Sequence, residues 1–211
     1  MGRLWRRFSL LALLALLAAC GGGQKASPLP AGSSVLAFGD SVTFGTGAAP
    51  GEDYPTQLAA ISGWNITNAG IPGDTAEAAR GRIRAAIEQS QPALVIVELG
   101  GNDFLRRRPE GQIREDLRAI LNEIRHANIP VVLVAVPRFS LIGAAVGALP
   151  DAELYEKLAE EEKVPLVAKV FARILSDPGL KADHIHPNAA GYRQLAEGIA
   201  EGLRRESYLA K

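Results

Sequence analysis

Ala93-Leu94-Val95-Ile96-Val97-Glu98-Leu99 runs straight into Gly100-Gly101-Asn102-Asp103. A near-continuous apolar run rich in β-branched residues predicts a strand buried on both faces of a parallel sheet. The loop that closes it lies where open α/β sheets bind their ligands, outside the carboxyl ends of the strands. Val131 to Val136 reads the same way, and Val35 to Phe38 is a shorter copy. Trp64 to Asn68 alternates more weakly, and Val164 to Val167 supplies a fifth strand. Helical patterns lie between them. Ala79, Ile83, Ala86 and Ile87 fall at helix spacing behind a capping box formed by Asp74 and Glu77. Ile113, Leu117, Ile120, Leu121 and Ile124 form a clear stripe, and Leu154, Tyr155, Leu158 and Ala159 another. Tyr192, Leu195, Ala196, Ile199 and Leu203 form the last, opened by Pro187. This alternation predicts one doubly wound α/β domain with a five-stranded parallel sheet and helices on both faces.

Four blocks then fall on one edge of that sheet: Phe38-Gly39-Asp40-Ser41, Asn68-Ala69-Gly70, Gly100-Gly101-Asn102-Asp103 and Asp183-His184-Ile185-His186-Pro187. A serine on a tight turn, a histidine and an acid three residues before it are the parts of an activated hydroxyl. Gly39 permits a sharp turn that exposes Ser41; the alternative for Ser41 is an ordinary helix N-cap. Pro187 keeps His186 out of helical geometry, so its ring can lean over the strand ends. Asp183 can accept the Nδ1 hydrogen and leave Nε2 free to take the serine proton. The chain has three histidines, which constrains the choice of base. His184 is one residue from Asp183 and reads as exposed loop, while His126 suits a helix C-terminus. Gly70 could offer a close backbone N–H and Asn102 a side-chain amide to a developing oxyanion. Their alternatives are a turn glycine and a helix cap. Asp40 and Asp103 read as caps or braces.

Taken together the blocks resemble the SGNH (GDSL-type) hydrolase family, over roughly residues 33–206, and its bacterial thioesterase/lysophospholipase/arylesterase branch. The resemblance implies a flavodoxin-like strand order, 2-1-3-4-5. It implies a serine hydrolase with Ser41 as nucleophile, His186 as base and Asp183 orienting it. The oxyanion donors would be the Ser41 N–H, Gly70 and Asn102. The substrate would be a lysophospholipid, acyl or aryl ester, or a thioester, with no metal or organic cofactor. The sequence departs from the family pattern at Phe139 to Leu149, which is apolar but broken by glycines. Phe139, Leu141 and Ile142 are expected to line the acyl site; the alternative is a buried connection. Two other functions fit the same residues: an O-acetyl esterase acting on cell-wall or exported carbohydrate, and a lipoprotein that binds ligand without turnover.

The ends read differently. Arg3, Arg6 and Arg7 precede an apolar run ending in Leu17-Ala18-Ala19-Cys20. This predicts a signal peptide over 1–19; its end resembles a bacterial lipobox, which implies Cys20 as the lipid attachment site, the alternative being a soluble secreted protein in which Cys20 is incidental. Residues 20–32 read as a flexible tether, 33–206 as the hydrolase domain and 207–211 as a tail. The expected address is exported and membrane-anchored, facing the periplasm or the cell exterior. Cys20 is the single cysteine, so no intramolecular disulfide can form. Removing residues 1–19 takes three arginines from 23 basic residues, leaving 20 against 23 acidic ones, or −3. No basic stripe predicts nucleic-acid binding. Arg106-Arg107-Arg108 reads as a solvated loop, and the protein is expected to be monomeric.

Overall fold

The computed structural model describes residues 27–138 and 149–211. Cys20, the signal peptide, most of the tether, and Phe139, Leu141 and Ile142 lie outside the described residues.

Five strands form one parallel sheet in the order β2-β1-β3-β4-β5. They are β1 Ser34–Gly39, β2 Asn65–Gly70, β3 Leu94–Glu98, β4 Val131–Val134 and β5 Leu166–Val167. Every residue of β3 and β4 is buried, and all but the first of β1, which is why these segments read as unbroken apolar runs. The edge strand β2 has no fully buried residue, which is why its run is less apolar. In-register pairing sets Gly39 beside both Gly70 and Glu98. The ends of the three strands that carry the chemistry are therefore level.

The helices are α1 Ser41–Phe44, α2 Tyr54–Ser62, α3 Ala76–Arg80, α4 Ile83–Ser90, α5 Gly101–Leu105, α6 Glu110–His126, α7 Glu153–Glu162, α8 Val170–Ser176 and α9 Ala189–Arg205. They pack in two groups: α2 and α8 against α9, and α3, α4 and α7 against α6. The apolar stripes of α6 and α9 face the core as their spacing predicts. Three details differ from the sequence reading. The pattern from Ala79 to Ile87 is two helices, not one, divided at Gly81. Thr75, not Asp74, caps α3 by accepting from the Ala78 N–H, because Asp74 is drawn away to Arg82. Asn188, not Pro187, caps α9, with its side chain accepting from the Gly191 N–H. Packing also reaches past the expected limits 33–206. Leu29 joins the core, Leu209 is buried in it, and the Leu29 N–H donates to the Tyr208 carbonyl at 2.8 Å.

Candidate active site

β1 ends at Gly39, where an added Cβ would sit 2.0 Å from Thr43 Oγ1 and 2.4 Å from the Glu98 carbonyl. Glycine is needed here for space rather than for an unusual turn. Asp40 follows as the N-cap of α1, its Oδ1 accepting from the Val42 N–H at 3.0 Å. Ser41 opens the helix, so its N–H is one of the first-turn donors that the helix itself leaves unsatisfied. It makes no hydrogen bond among the described residues.

The loop before α9 brings His186 to this serine. Its Nε2 lies 2.9 Å from Ser41 Oγ, across 145 residues of chain. Its Nδ1 lies 2.7 Å from Asp183 Oδ2. Asp183 Oδ1 accepts from the backbone N–H groups of Ile185 and His186, both at 2.8 Å. Burial raises the Asp183 pKa, but the His186 bond and the two backbone donors outweigh it and hold the carboxyl below its usual value. It stays ionised at neutral pH and fixes the tautomer in which Nε2 accepts. His184 is exposed and makes no side-chain hydrogen bond among the described residues. His126 ends α6.

The expected oxyanion donors are arranged differently. The Gly70 N–H donates to Asn68 Oδ1 at 3.0 Å. A Cβ at Gly70 would lie 2.2 Å from the Phe44 nitrogen and 2.7 Å from the Asp40 carbonyl. This glycine lets α1 sit against β2, and its donor is already engaged. Asn102 lies at the start of α5, as its block predicts, but both amide hydrogens have partners. One goes to Asp40 Oδ2 at 3.1 Å, the other to the Asp74 carbonyl at 2.9 Å. That carbonyl belongs to the turn Ile71-Pro72-Gly73-Asp74, closed by a 3.1 Å bond from the Asp74 N–H to the Ile71 carbonyl. Gly73 has φ +84°, the value the third position of a type II turn demands. Its N–H has no partner among the described residues. Pro72-Gly73-Asp74 is the sequence signature of such a turn.

Arg82 locks the edge together. It bonds Asp74 at 2.6 Å, the Ala69 carbonyl at 2.9 Å and the Gly39 carbonyl at 2.7 Å, and lies 4.1 Å above the Phe38 ring. Arg108 is not the solvated residue its sequence context suggests. It pairs with Asp103 and Asp116, and Asp103, fully buried, also accepts from the Ala76 N–H. Asp103 is thus a brace between α3 and α5. Ser41, Asn102 and His186 open on a cleft whose other walls include Leu105, Val136, Phe171, Leu175 and Ile185. No cluster of His, Cys, Asp and Glu among the described residues has metal-binding form.

The GDSL-like Lipase/Acylhydrolase family model matches residues 37–194, from the middle of β1 into α9. The chain belongs to this family. It is 32% identical over 179 residues to a thioesterase/protease/lysophospholipase of Escherichia coli, covering 82% of this chain and 85% of that protein. An esterase TesA of Pseudomonas aeruginosa is 28% identical over 187 residues, covering 82% and 89%. Among solved structures, a TesA crystal structure superposes with a TM-score of 0.72 at 28% identity, covering 82% of this chain and 99% of that one. The SGNH-hydrolase family esterase AlinE4 superposes with a TM-score of 0.64 at 31% identity, covering 84% and 97%. The strand order read from the resemblance is the order of this sheet.

Proposed function

We propose that Ser41 is the nucleophile of a carboxylic ester hydrolase that works through an acyl-enzyme. The observation that carries this reading is the continuous relay from Ser41 Oγ to His186 Nε2 and from His186 Nδ1 to Asp183, at 2.9 and 2.7 Å. Ser41 Oγ attacks the ester or thioester carbonyl as its proton passes to His186. Asp183 stabilises the imidazolium that forms. The carbonyl oxygen becomes an oxyanion, held by the Ser41 N–H and by the Asn102 amide once it releases Asp40. The Gly73 N–H, without a partner among the described residues and one residue from the Asp74 carbonyl that Asn102 bonds, is a better third donor than the engaged Gly70 N–H. His186 then gives its proton to the departing alcohol or thiol. Water attacks the acyl-enzyme by the same route in reverse, with no step needing a metal or organic cofactor.

The apolar cleft walls support an acyl or aryl ester, or a thioester, as substrate class. The charged leader, the apolar run and the sequence ending in Cys20 support an exported lipoprotein. Labelling with a fluorophosphonate tests the chemistry. A mass shift on Ser41 in the folded protein, lost in Ser41→Ala, is the expected result; an unlabelled Ser41 would leave a binding protein. A series of nitrophenyl esters of rising chain length tests the substrate. Strict preference for acetate would favour the carbohydrate O-acetyl esterase. Growth with labelled palmitate, with Cys20→Ala as control, tests the anchor.

A further inference from the structure

Glu98 ends β3 under the helix that carries Ser41, and the relay does not use it. The residue is 1% exposed. Its Oε2 accepts from Thr43 Oγ1 at 3.2 Å, and Thr43 Oγ1 lies 3.1 Å from the Tyr54 hydroxyl. Its Oε1 is buried and has no partner among the described residues. Glu98 and Asp40, itself 2% exposed, line the same cleft as Ser41.

Among the described residues no lysine or arginine pairs with either carboxyl. Asp40, in the β1–α1 turn, lines the same cleft as Glu98, and Asp103 follows Asn102, the α5 residue that bonds Asp40. The nearby tyrosine hydroxyls of α2, α7 and α9 are engaged elsewhere: Tyr54 with Thr43 Oγ1 at 3.1 Å, Tyr155 with the Leu99 carbonyl at 2.6 Å and Tyr192 with the Thr46 carbonyl at 2.7 Å. His186 favours the charge on Asp40. The guanidinium of Arg82 is committed to Asp74 and two strand-end carbonyls. Two carboxyls buried at one cleft are each costly to ionise, and the one with fewer donors keeps its proton. Asp40 has the Val42 N–H and the Asn102 amide; Glu98 has the Thr43 hydroxyl.

We infer that Glu98 is a positioning residue that stays protonated at neutral pH, seating the nucleophile helix through Thr43 and leaving Asp40 as the single charge that holds Asn102. Its kinetic part rests on Ser41 being the nucleophile. The pKa directions agree. Burial pushes Glu98 well above the usual carboxylate value, with the Asp40 charge adding to it. Burial also raises Asp40, to about 6, against the opposing pull of Val42, His186 and Asn102.

Isotope-edited infrared spectroscopy of the full chain, with carbon-13 glutamate, tests the protonation directly. At pH 7 a protonated-acid carbonyl band is expected in the unsubstituted protein and is absent from Glu98→Gln. Kinetics on a nitrophenyl ester test the positioning. Glu98→Leu is expected to lower kcat by about tenfold or more with KM nearly unchanged, and Glu98→Gln to recover most of that loss. Thr43→Val is expected to cost kcat alone but little further in the Glu98→Leu background. Absence of the band, or a Gln variant as impaired as Leu, would overturn the inference. Fluorophosphonate labelling of Ser41 reports separately on the nucleophile, so the two readings fail independently.

Discussion

Asn102 has two amide hydrogens, and the resting site uses both. Stabilising an oxyanion therefore means exchanging a partner rather than filling a gap. The Asp40 bond, at 3.1 Å, is the longer of the two and the one nearer Ser41 in sequence. Asn102→Ala is expected to lower kcat by about a hundredfold. Steady-state rates on a nitrophenyl ester check this, and an unchanged kcat would make the residue a cap. Ser41→Ala is expected to lower kcat at least about a thousandfold while leaving the melting temperature close to unchanged. Glu98 has a consequence for stability as well. Its folded pKa lies above the ordinary 4.5, so from that value upward the folded state keeps a proton that the unfolded chain has released. Stability therefore falls as pH rises through this interval. Glu98→Gln removes that slope. Its urea midpoint relative to the unsubstituted protein is expected to climb from pH 5 to pH 8, which equilibrium denaturation at both values measures. The meeting of Ser41 and His186 was legible because few histidines compete and Pro187 fixes the local backbone. The bond between Asp40 and Asn102 spans 62 residues and no local pattern announces it. A glycine such as Gly70, required by a neighbouring helix and with its N–H engaged, looks in sequence like one offering that N–H.

Among the elements, α1 is short, and its placement decides the site. It is wedged between β2 and the end of β3 by Gly70 and Gly39. An alanine at 70 would put a methyl 2.2 Å from the backbone of Phe44, and neither partner is a flexible side chain. Gly70→Ala is expected to cost about 2 kcal/mol or more and to reduce activity as well. Thermal melts alongside ester hydrolysis check both; a stable, fully active variant would show that α1 can shift. A second junction joins α3, α5 and α6, where Arg108 meets the buried Asp103 and Asp116. Removing the cation strands a fully buried acid. Arg108→Ala is therefore expected to destabilise by about 3 kcal/mol, measured by denaturant unfolding. The long helices α6 and α9 were legible because one face is polar. Helix α2 was not, because its buried residues, Tyr54, Pro55 and Leu58, form no extended stripe. In α8 five of seven residues are buried, so no polar face marks the helical period.

Across the whole molecule the chain closes on itself at the end of the sheet away from Ser41. The Leu29 N–H bonds the Tyr208 carbonyl, Trp64 Nε1 donates to the Leu29 carbonyl at 3.4 Å, and the Gly32 N–H bonds the Gly63 carbonyl at 2.7 Å. The terminal residues read as a tail in the sequence because no periodic pattern extends into them. Leu209 nevertheless contributes to the core. Deleting 207–211 is expected to lower stability by about 2 kcal/mol with kcat unchanged, because Leu209 is lost far from the cleft. Melting curves and ester hydrolysis measure the two effects separately. The six residues of β1 then separate the entry of the chain from the cleft by about 20 Å. If Cys20 carries the fatty acyl group that the sequence leads one to expect, the anchor joins the domain at the pole opposite the cleft, and a flexible leash ahead of Leu29 leaves the mouth free to swing toward solution or bilayer.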